Sequence, residues 1–139
     1  MKRYLLDTHI IIWFILKSSE LSDTIADEIR YFQNIYYVSV VSLQEFVMLV
    51  KNNKIKTKKT LAELVSDLKK YNINILDLKS QHVQCYETLS TPSFHGKKHD
   101  DPFDRMLIAQ SIAERMTIIS ADTRFPLYKD TNFRLRGND

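Results

Sequence analysis

The stretch His99-Asp-Asp-Pro-Phe-Asp104-Arg-Met-Leu-Ile-Ala-Gln-Ser111, running on to Thr117-Ile-Ile-Ser-Ala-Asp122, constrains the fold of this chain most. Asp101 followed by Pro102 has the form of a helix N-cap with proline at the first helical position, where its missing N–H costs nothing. Phe103, Leu107, Ile108 and Ile112 then recur at near-helical spacing, and Met106, Ala109 and Ala113 widen the face. Thr117 to Ala121 is a short β-branched run suited to a buried strand. A helix that feeds such a strand after one or two residues is the return half of a βαβ unit, the crossover that parallel strands require. Asp122 then stands at a strand's carboxyl end and Asp104 in a helix's first turn. In open parallel sheets ligands bind at the carboxyl ends of the strands.

The rest of the chain repeats the alternation. Arg3-Tyr-Leu-Leu-Asp7 predicts a short central strand ending in an acid, and Ile10 to Leu16 a helix too apolar to face water. Ser22 caps a predicted helix whose inner face is Ile25, Ala26, Ile29 and Phe32. Tyr36 to Val41 predicts a second strand, followed by Ser42-Leu-Gln-Glu45 and a helix carrying Phe46, Val47, Leu49 and Val50. Leu61, Leu64, Val65, Leu68 and Tyr71 mark an amphipathic helix, and Ile73 to Leu78 a third strand. Ser80 caps a helix with Val83, Tyr86 and Leu89. Thr91 to Asp100 reads as a loop, and Asn132 to Leu135 as a short edge strand. Strands alternating with helices predict an α/β domain with a mainly parallel sheet, one domain over residues 1–139.

Composition narrows the class. At 139 residues, 44% of them hydrophobic, the chain can bury a real core. Two glycines and three prolines argue against a turn-dense sandwich or barrel. The single Cys85 excludes an internal disulfide and a multi-cysteine zinc site, and a reducing setting, the cytoplasm, fits best. Met1-Lys-Arg ahead of the apolar run Ile10–Leu16 imitates a signal peptide, but Asp7 and His9 intervene and no small-residue cleavage site follows. Those seven residues are too few to span a bilayer, so no membrane role is expected. The net charge of +3, with acids gathered at a site, leaves a more basic remaining surface that suits a polyanionic partner.

Four acids fall at equivalent places: Asp7 and Asp122 end strands, while Glu45 and Asp104 begin helices. Each has an ordinary explanation. Ser42-x-x-Glu45 matches a capping box, Asp101-x-x-Asp104 is its acidic relative, and Asp122-Thr123 could begin a turn. Asp7 is the exception, because it closes an apolar run, where a lone carboxylate is poorly solvated, and has no cap to supply. Carboxylates gathered at one edge repel one another unless a cation compensates. An all-oxygen set suits Mg²⁺ or Mn²⁺, which accept substrate phosphates and activate water near neutral pH. Metal-dependent phosphodiester hydrolysis is the chemistry these residues point to.

Leu5-Leu-Asp-Thr-His9, Ser42-Leu-Gln-Glu45, His99-Asp-Asp-Pro-Phe-Asp-Arg-Met-Leu-Ile-Ala-Gln110 and Ser120-Ala-Asp122 together resemble the signatures of PIN-domain ribonucleases, in particular the VapC-type toxins of bacterial toxin–antitoxin pairs. The resemblance covers essentially the whole chain in order. It implies a three-layer α/β/α fold, often dimeric, Mg²⁺-dependent cleavage of RNA and inhibition by a small antitoxin protein. Carried over by position, the catalytic acids are Asp7, Glu45, Asp104 and Asp122. Asp7, Asp104 and Asp122 are the metal ligands by position, with Asp101, the other acid of its block, the alternative to Asp104, and with Thr8 and Ser120 hydroxyl neighbours able to hold water or a carboxylate. Products carrying a 5′-phosphate and a 3′-hydroxyl are implied as well. One departure is Gln44, where close relatives often carry an aromatic residue.

Other residues remain open between roles. His9 either contacts substrate or packs with a hydrogen bond. Arg105 either pairs with an acid or holds a phosphate. His95 and His99 sit in a polar loop, solvated or touching phosphate. The lysines of Lys51–Lys59 are a solvated face or an RNA contact. Trp13 and Cys85 read as core. Two rivals stand beside the nuclease: a non-catalytic PIN-like module that binds RNA or protein, and a phosphoryl-transfer domain using an aspartyl phosphate. The latter needs a phosphate-holding lysine at a strand end, and none follows Asp7 or Asp122 closely.

Overall fold

The computed structural model describes residues 1–139. Its elements are β1 (Arg3–Leu6), α1 (Thr8–Ile15), α2 (Asp23–Arg30), β2 (Ile35–Ser39), α3 (Val40–Lys51), α4 (Leu61–Lys70), β3 (Asn74–Leu76), α5 (Ser80–Glu87), β4 (Ser93–Phe94), β5 (Lys97–Lys98), α6 (Pro102–Glu114), β6 (Thr117–Ile119) and β7 (Leu135–Arg136). Five strands form one sheet in the order β3-β2-β1-β6-β7, and every pairing is parallel. Helices cover both faces, so the α/β expectation holds.

The pleat explains the two faces. Tyr4, Leu6, Tyr36, Val38 and Ile119 point to one side, where α1, α2 and α4 contribute Ile10, Ile12, Phe14, Ile25, Ile29, Leu64 and Leu68. Leu5 and Ile118 point to the other, against Leu107 and Ile108 of α6 and against Met116, Phe125 and Tyr128. Successive strand residues feed opposite cores, so a strand covered on both sides reads as an apolar run rather than as an alternation. The α3 helix serves both layers, with Leu43 and Phe46 in the first and Val41 in the second.

Several local expectations shift. Val40 and Val41 are helical although β-branched, because Ser39 caps α3: its side chain accepts from Val41 N at 3.0 Å. Ser42 is therefore inside the helix and not its cap, and Glu45 belongs to the second turn rather than the first. The true capping box is Thr60 with Glu63, at the start of α4. Ser80 does not cap α5, which begins after Lys79, and Val83 is exposed while His82 is fully buried. Phe32 lies beyond α2 with φ 56° and is half exposed, so it is not an inner-face residue. The expected loop at Thr91–Asp100 contains a small hairpin, β4 with β5, joined by His95 and Gly96. Both have positive φ, as a two-residue type I′ turn requires. The edge strand begins three residues later than expected, at Leu135, and pairs in parallel with β6.

Sheet order places the site. From β1 the chain moves outward through β2 and β3, then returns to β6 on β1's other side. The reversal opens a crevice between β1 and β6 at their carboxyl ends, the topological switch point of an open sheet.

Candidate active site

Asp7 leaves β1 directly into that crevice. Its Oδ1 accepts from Thr8 N at 2.8 Å, and its Oδ2 accepts from Ser120 Oγ at 2.7 Å. Contrary to the sequence expectation, Asp7 does cap a helix, α1, because β1 and α1 are separated by no other residue. Burial opposes its charge and raises its pKa to about 6, against the bonds from Ser120 and Thr8 that lower it. Ser120 also receives Asp122 N at 3.0 Å, so one hydroxyl ties the ends of β1 and β6 together. Thr8 is buried, and its hydroxyl donates to Ser42 Oγ at 2.8 Å, away from the acids.

Asp104, in the first turn of α6, is 7% exposed. Its pKa is pushed up to about 8, first by burial and then by the charges of Asp7, Asp101, Asp122 and Glu45. Asp101 is the N-cap of α6: its Oδ1 accepts from Phe103 N and Asp104 N, at 2.9 and 3.0 Å. One Asp101 oxygen therefore holds the helix start, and both Asp101 and Asp104 line the cavity. Glu45 reaches the same cavity from α3, and its Oε1 is buried with no hydrogen-bond partner.

The cavity, of about 280 Å³, is lined by Asp7, His9, Trp13, Glu45, Asp101, Asp104, Ala121, Asp122 and Arg124. It thus gathers all four sequence-predicted acids with Asp101 and His9. Arg124 was not anticipated. Its Nη2 donates to Asp122 Oδ2 at 2.7 Å and to Asp104 Oδ2 at 3.4 Å, and its Nε donates to Asp122 Oδ1 at 3.0 Å. Burial raises the Asp122 pKa, but the bonds and charge of Arg124 outweigh it, and the net shift is downward. The pairing raises the Arg124 pKa in turn. The only sequence signal for it was an arginine two residues after a strand-end acid. Trp13, expected in the core, packs against it and also lines the cavity.

His99 also departs from expectation. It is 2% exposed rather than solvated. Arg105 Nη1 donates to Tyr128 Oη at 2.9 Å, which directs the tyrosine hydrogen to His99 Nδ1 at 2.7 Å. His99 Nε2–H then faces Asp104 Oδ2 at 3.2 Å. Burial, followed by the charge of Arg124, lowers the His99 pKa, so the ring is a neutral donor. Arg105 is buried, and the same Nη1 also donates to the carbonyls of Ser90 and His99. It pairs with none of the acids and does not line the cavity; its fork braces the loop before α6.

As the side chains stand, no three acid, histidine or cysteine groups converge closely enough to hold a metal ion, and Arg124 bridges Asp104 and Asp122 instead. The donor chemistry nonetheless fits a hard divalent cation. Every acid donor is oxygen, Glu45 Oε1 is buried and unpartnered, and Asp7 and Asp104 are held toward protonation, chiefly by burial.

An acid-lined cavity at the switch point of an all-parallel sheet defines an α/β protein whose ligand site is built from strand ends and helix starts. The chain belongs to the PIN domain family, whose model matches residues 4–130. Among curated proteins none matches. Similar solved structures include VapBC2 from Rickettsia felis bound to a DNA fragment from its promoter, at 19% identity and TM-score 0.69, covering 99% of each chain. DNA-bound VapBC from Salmonella typhimurium follows at 16% identity and TM-score 0.65, covering 100% of each. FitAB bound to IR36 DNA shares 18% identity at TM-score 0.64, over 97% of this chain and 94% of that one. At these identities the likeness concerns the fold. No helix is long and apolar enough to cross a membrane.

Proposed function

We propose that this chain is a divalent-metal-dependent endoribonuclease, the toxin of a toxin–antitoxin pair, acting in the cytoplasm as a homodimer restrained by a small antitoxin protein. The observation that carries the nuclease chemistry is the gathering of Asp7, Glu45, Asp101, Asp104 and Asp122 in one cavity, with Glu45 Oε1 buried and unpartnered. Burial raises Asp7 to about 6, with a smaller push from Glu45, and burial together with the charges of the neighbouring acids raises Asp104 to about 8, an arrangement that costs stability unless a cation joins it. Membership of the PIN family and the likeness to VapBC and FitAB support the toxin role.

Asp7, Asp104 and Asp122 would hold Mg²⁺ or Mn²⁺, once Arg124 has turned away. The ion would activate water and offset the charge growing on the phosphoryl oxygens. Glu45, with a free buried oxygen, is placed to orient or deprotonate that water. Ser120 fixes the Asp7 carboxylate, Asp101 holds the turn that presents Asp104, and His99 donates to Asp104. The released guanidinium of Arg124 is the one lining cation able to meet a phosphate.

The Arg124 bridge favours a second reading, a PIN module that binds RNA without cutting it. A panel of RNAs incubated with pure protein in Mg²⁺, in Mn²⁺ and in EDTA decides between the two. Metal-dependent cleavage, abolished in Asp104→Asn, is the expected result; binding without cleavage in either metal would favour the module. The toxin role has its own test: induction alone arrests bacterial growth, and Asp104→Asn at equal soluble expression does not.

A further inference from the structure

His9 and Trp13 lie four residues apart on α1, one helical turn, and so share a face. Their ring centroids are 6.0 Å apart with planes inclined at 56°. Both line the acid cavity, where Trp13 and Ala121 are the only apolar residues. Trp13 packs against the core on one side and stays only half-buried. A large aromatic surface there contributes nothing to holding a cation. It also sits where a polyanion is hardest to bind: the lining carries five carboxylates, Asp7, Glu45, Asp101, Asp104 and Asp122, and its one cation, Arg124, is engaged by two of them. While Arg124 is so engaged and no metal is bound, the contact the lining offers a nucleic acid is one indifferent to charge, and base stacking on an aromatic face is such a contact.

We propose that Trp13, with His9 as its second wall, is a nucleobase subsite that stacks an unpaired base beside the phosphate to be cut. This rests on the ribonuclease reading and assigns Trp13 the base next to the scissile phosphate, which must be unpaired there because a base within a helix has no free face to offer.

Trp13 is the only tryptophan, so its fluorescence reports the subsite directly. In EDTA, where no cleavage occurs, a short single-stranded RNA is expected to quench it saturably. The same strand annealed to its complement, or carrying abasic residues in place of bases, is expected not to. Since alanine variants lack the stack, Trp13→Ala should bind the single strand roughly 5- to 100-fold more weakly, as judged by fluorescence anisotropy of a labelled strand. In Mg²⁺ it should raise KM with little change in kcat. Trp13→Phe should recover most of the affinity and Trp13→Leu should not, with circular-dichroism melts establishing that each variant folds. Equal affinity for the abasic strand, equal performance of Leu and Phe, or quenching by a protein partner but by no nucleic acid would each overturn the subsite. Wild type that quenches with single strands yet cleaves none would sink the ribonuclease reading and leave the stacking surface standing.

Discussion

The molecule contains two buried histidines that each face a carboxylate, and they differ in every consequence. His82 of α5 meets Glu114 at the end of α6, Nε2 to Oε2 at 2.6 Å. Lys79 N donates to its Nδ1 at 3.0 Å, which leaves Nε2 as the donor to Glu114. Gln81 adds a second bond and Lys79 a nearby positive charge. The His82 bond lowers the Glu114 pKa despite burial. His99 meets Asp104 through the same ring atom at 3.2 Å, yet the Asp104 pKa climbs to about 8. The donor type is the same; the company is not. Glu114 has a lysine and an amide beside it and no acid, whereas Asp104 has four other carboxylates around it and one arginine, Arg124, at 3.4 Å. A hydrogen bond holds a carboxylate in place, but the surrounding charge decides whether the position stabilises the fold or awaits a ligand.

Exchanging the two acids for amides breaks the comparison most sharply. Asp104→Asn is expected to lower metal-dependent RNA cleavage by about 10³-fold or more, the scale of losing several kcal/mol of charge stabilisation. Glu114→Gln should leave cleavage within a few-fold. Single-turnover assays on one RNA measure both, and equal losses would mean that the contrast has no functional content.

The pH dependence of stability comes next in size. Asp104 has its carboxyl raised from 3.8 when unfolded to about 8 when folded, so it favours folding fully below pH 3.8, and that contribution is lost as pH rises through 8. Asp7 acts the same way up to about pH 6. Metal-free wild type should therefore lose a few kcal/mol between pH 4 and 8, and Asp104→Asn should flatten the slope. The lowered Glu114 has the opposite sign: its contribution is present above the unfolded value of 4.5 and lost as pH falls through its depressed value. Urea titrations at several pH values in EDTA measure these slopes.

At neutral pH in EDTA, Glu114→Gln should cost about 1.5–3 kcal/mol, the range for a hydrogen bond to a charged group. Asp7→Asn should melt at or above wild type, because asparagine caps α1 equally well while relieving repulsion. Excess Mg²⁺ should then raise the wild-type midpoint more than that of Asp7→Asn. An Asp7→Asn melt clearly below wild type in EDTA, with no metal-induced rise in either, would make Asp7 structural. The smallest effect belongs to Asp101, where replacement by alanine should cost about 1 kcal/mol through the lost cap and replacement by asparagine almost nothing.

The sequence alone carried the alternation of strands and helices, the parallel sheet, the Asp101-Pro102 helix start and the positions of Asp7, Glu45, Asp104 and Asp122. These depend on local chemistry, namely side-chain period, caps and turn residues, which a chain writes in consecutive positions. Tertiary structure decided the rest. Glu45 ceased to be a cap because Ser39, three residues before Ser42, closed the helix first. His99 became a buried donor because Tyr128, 29 residues along the chain, came to it and is oriented by Arg105, itself 23 residues from that tyrosine. Trp13 became a cavity wall as well as a core contact because α1 starts directly from the acid at the end of β1. Arg124 took the place of a counter-ion between two acids separated by 18 residues in the chain, a pairing that exists only once the start of α6 and the end of β6 lie side by side. Charge and burial act through space, so the ionisation of a site is settled by which segments the sheet order brings together.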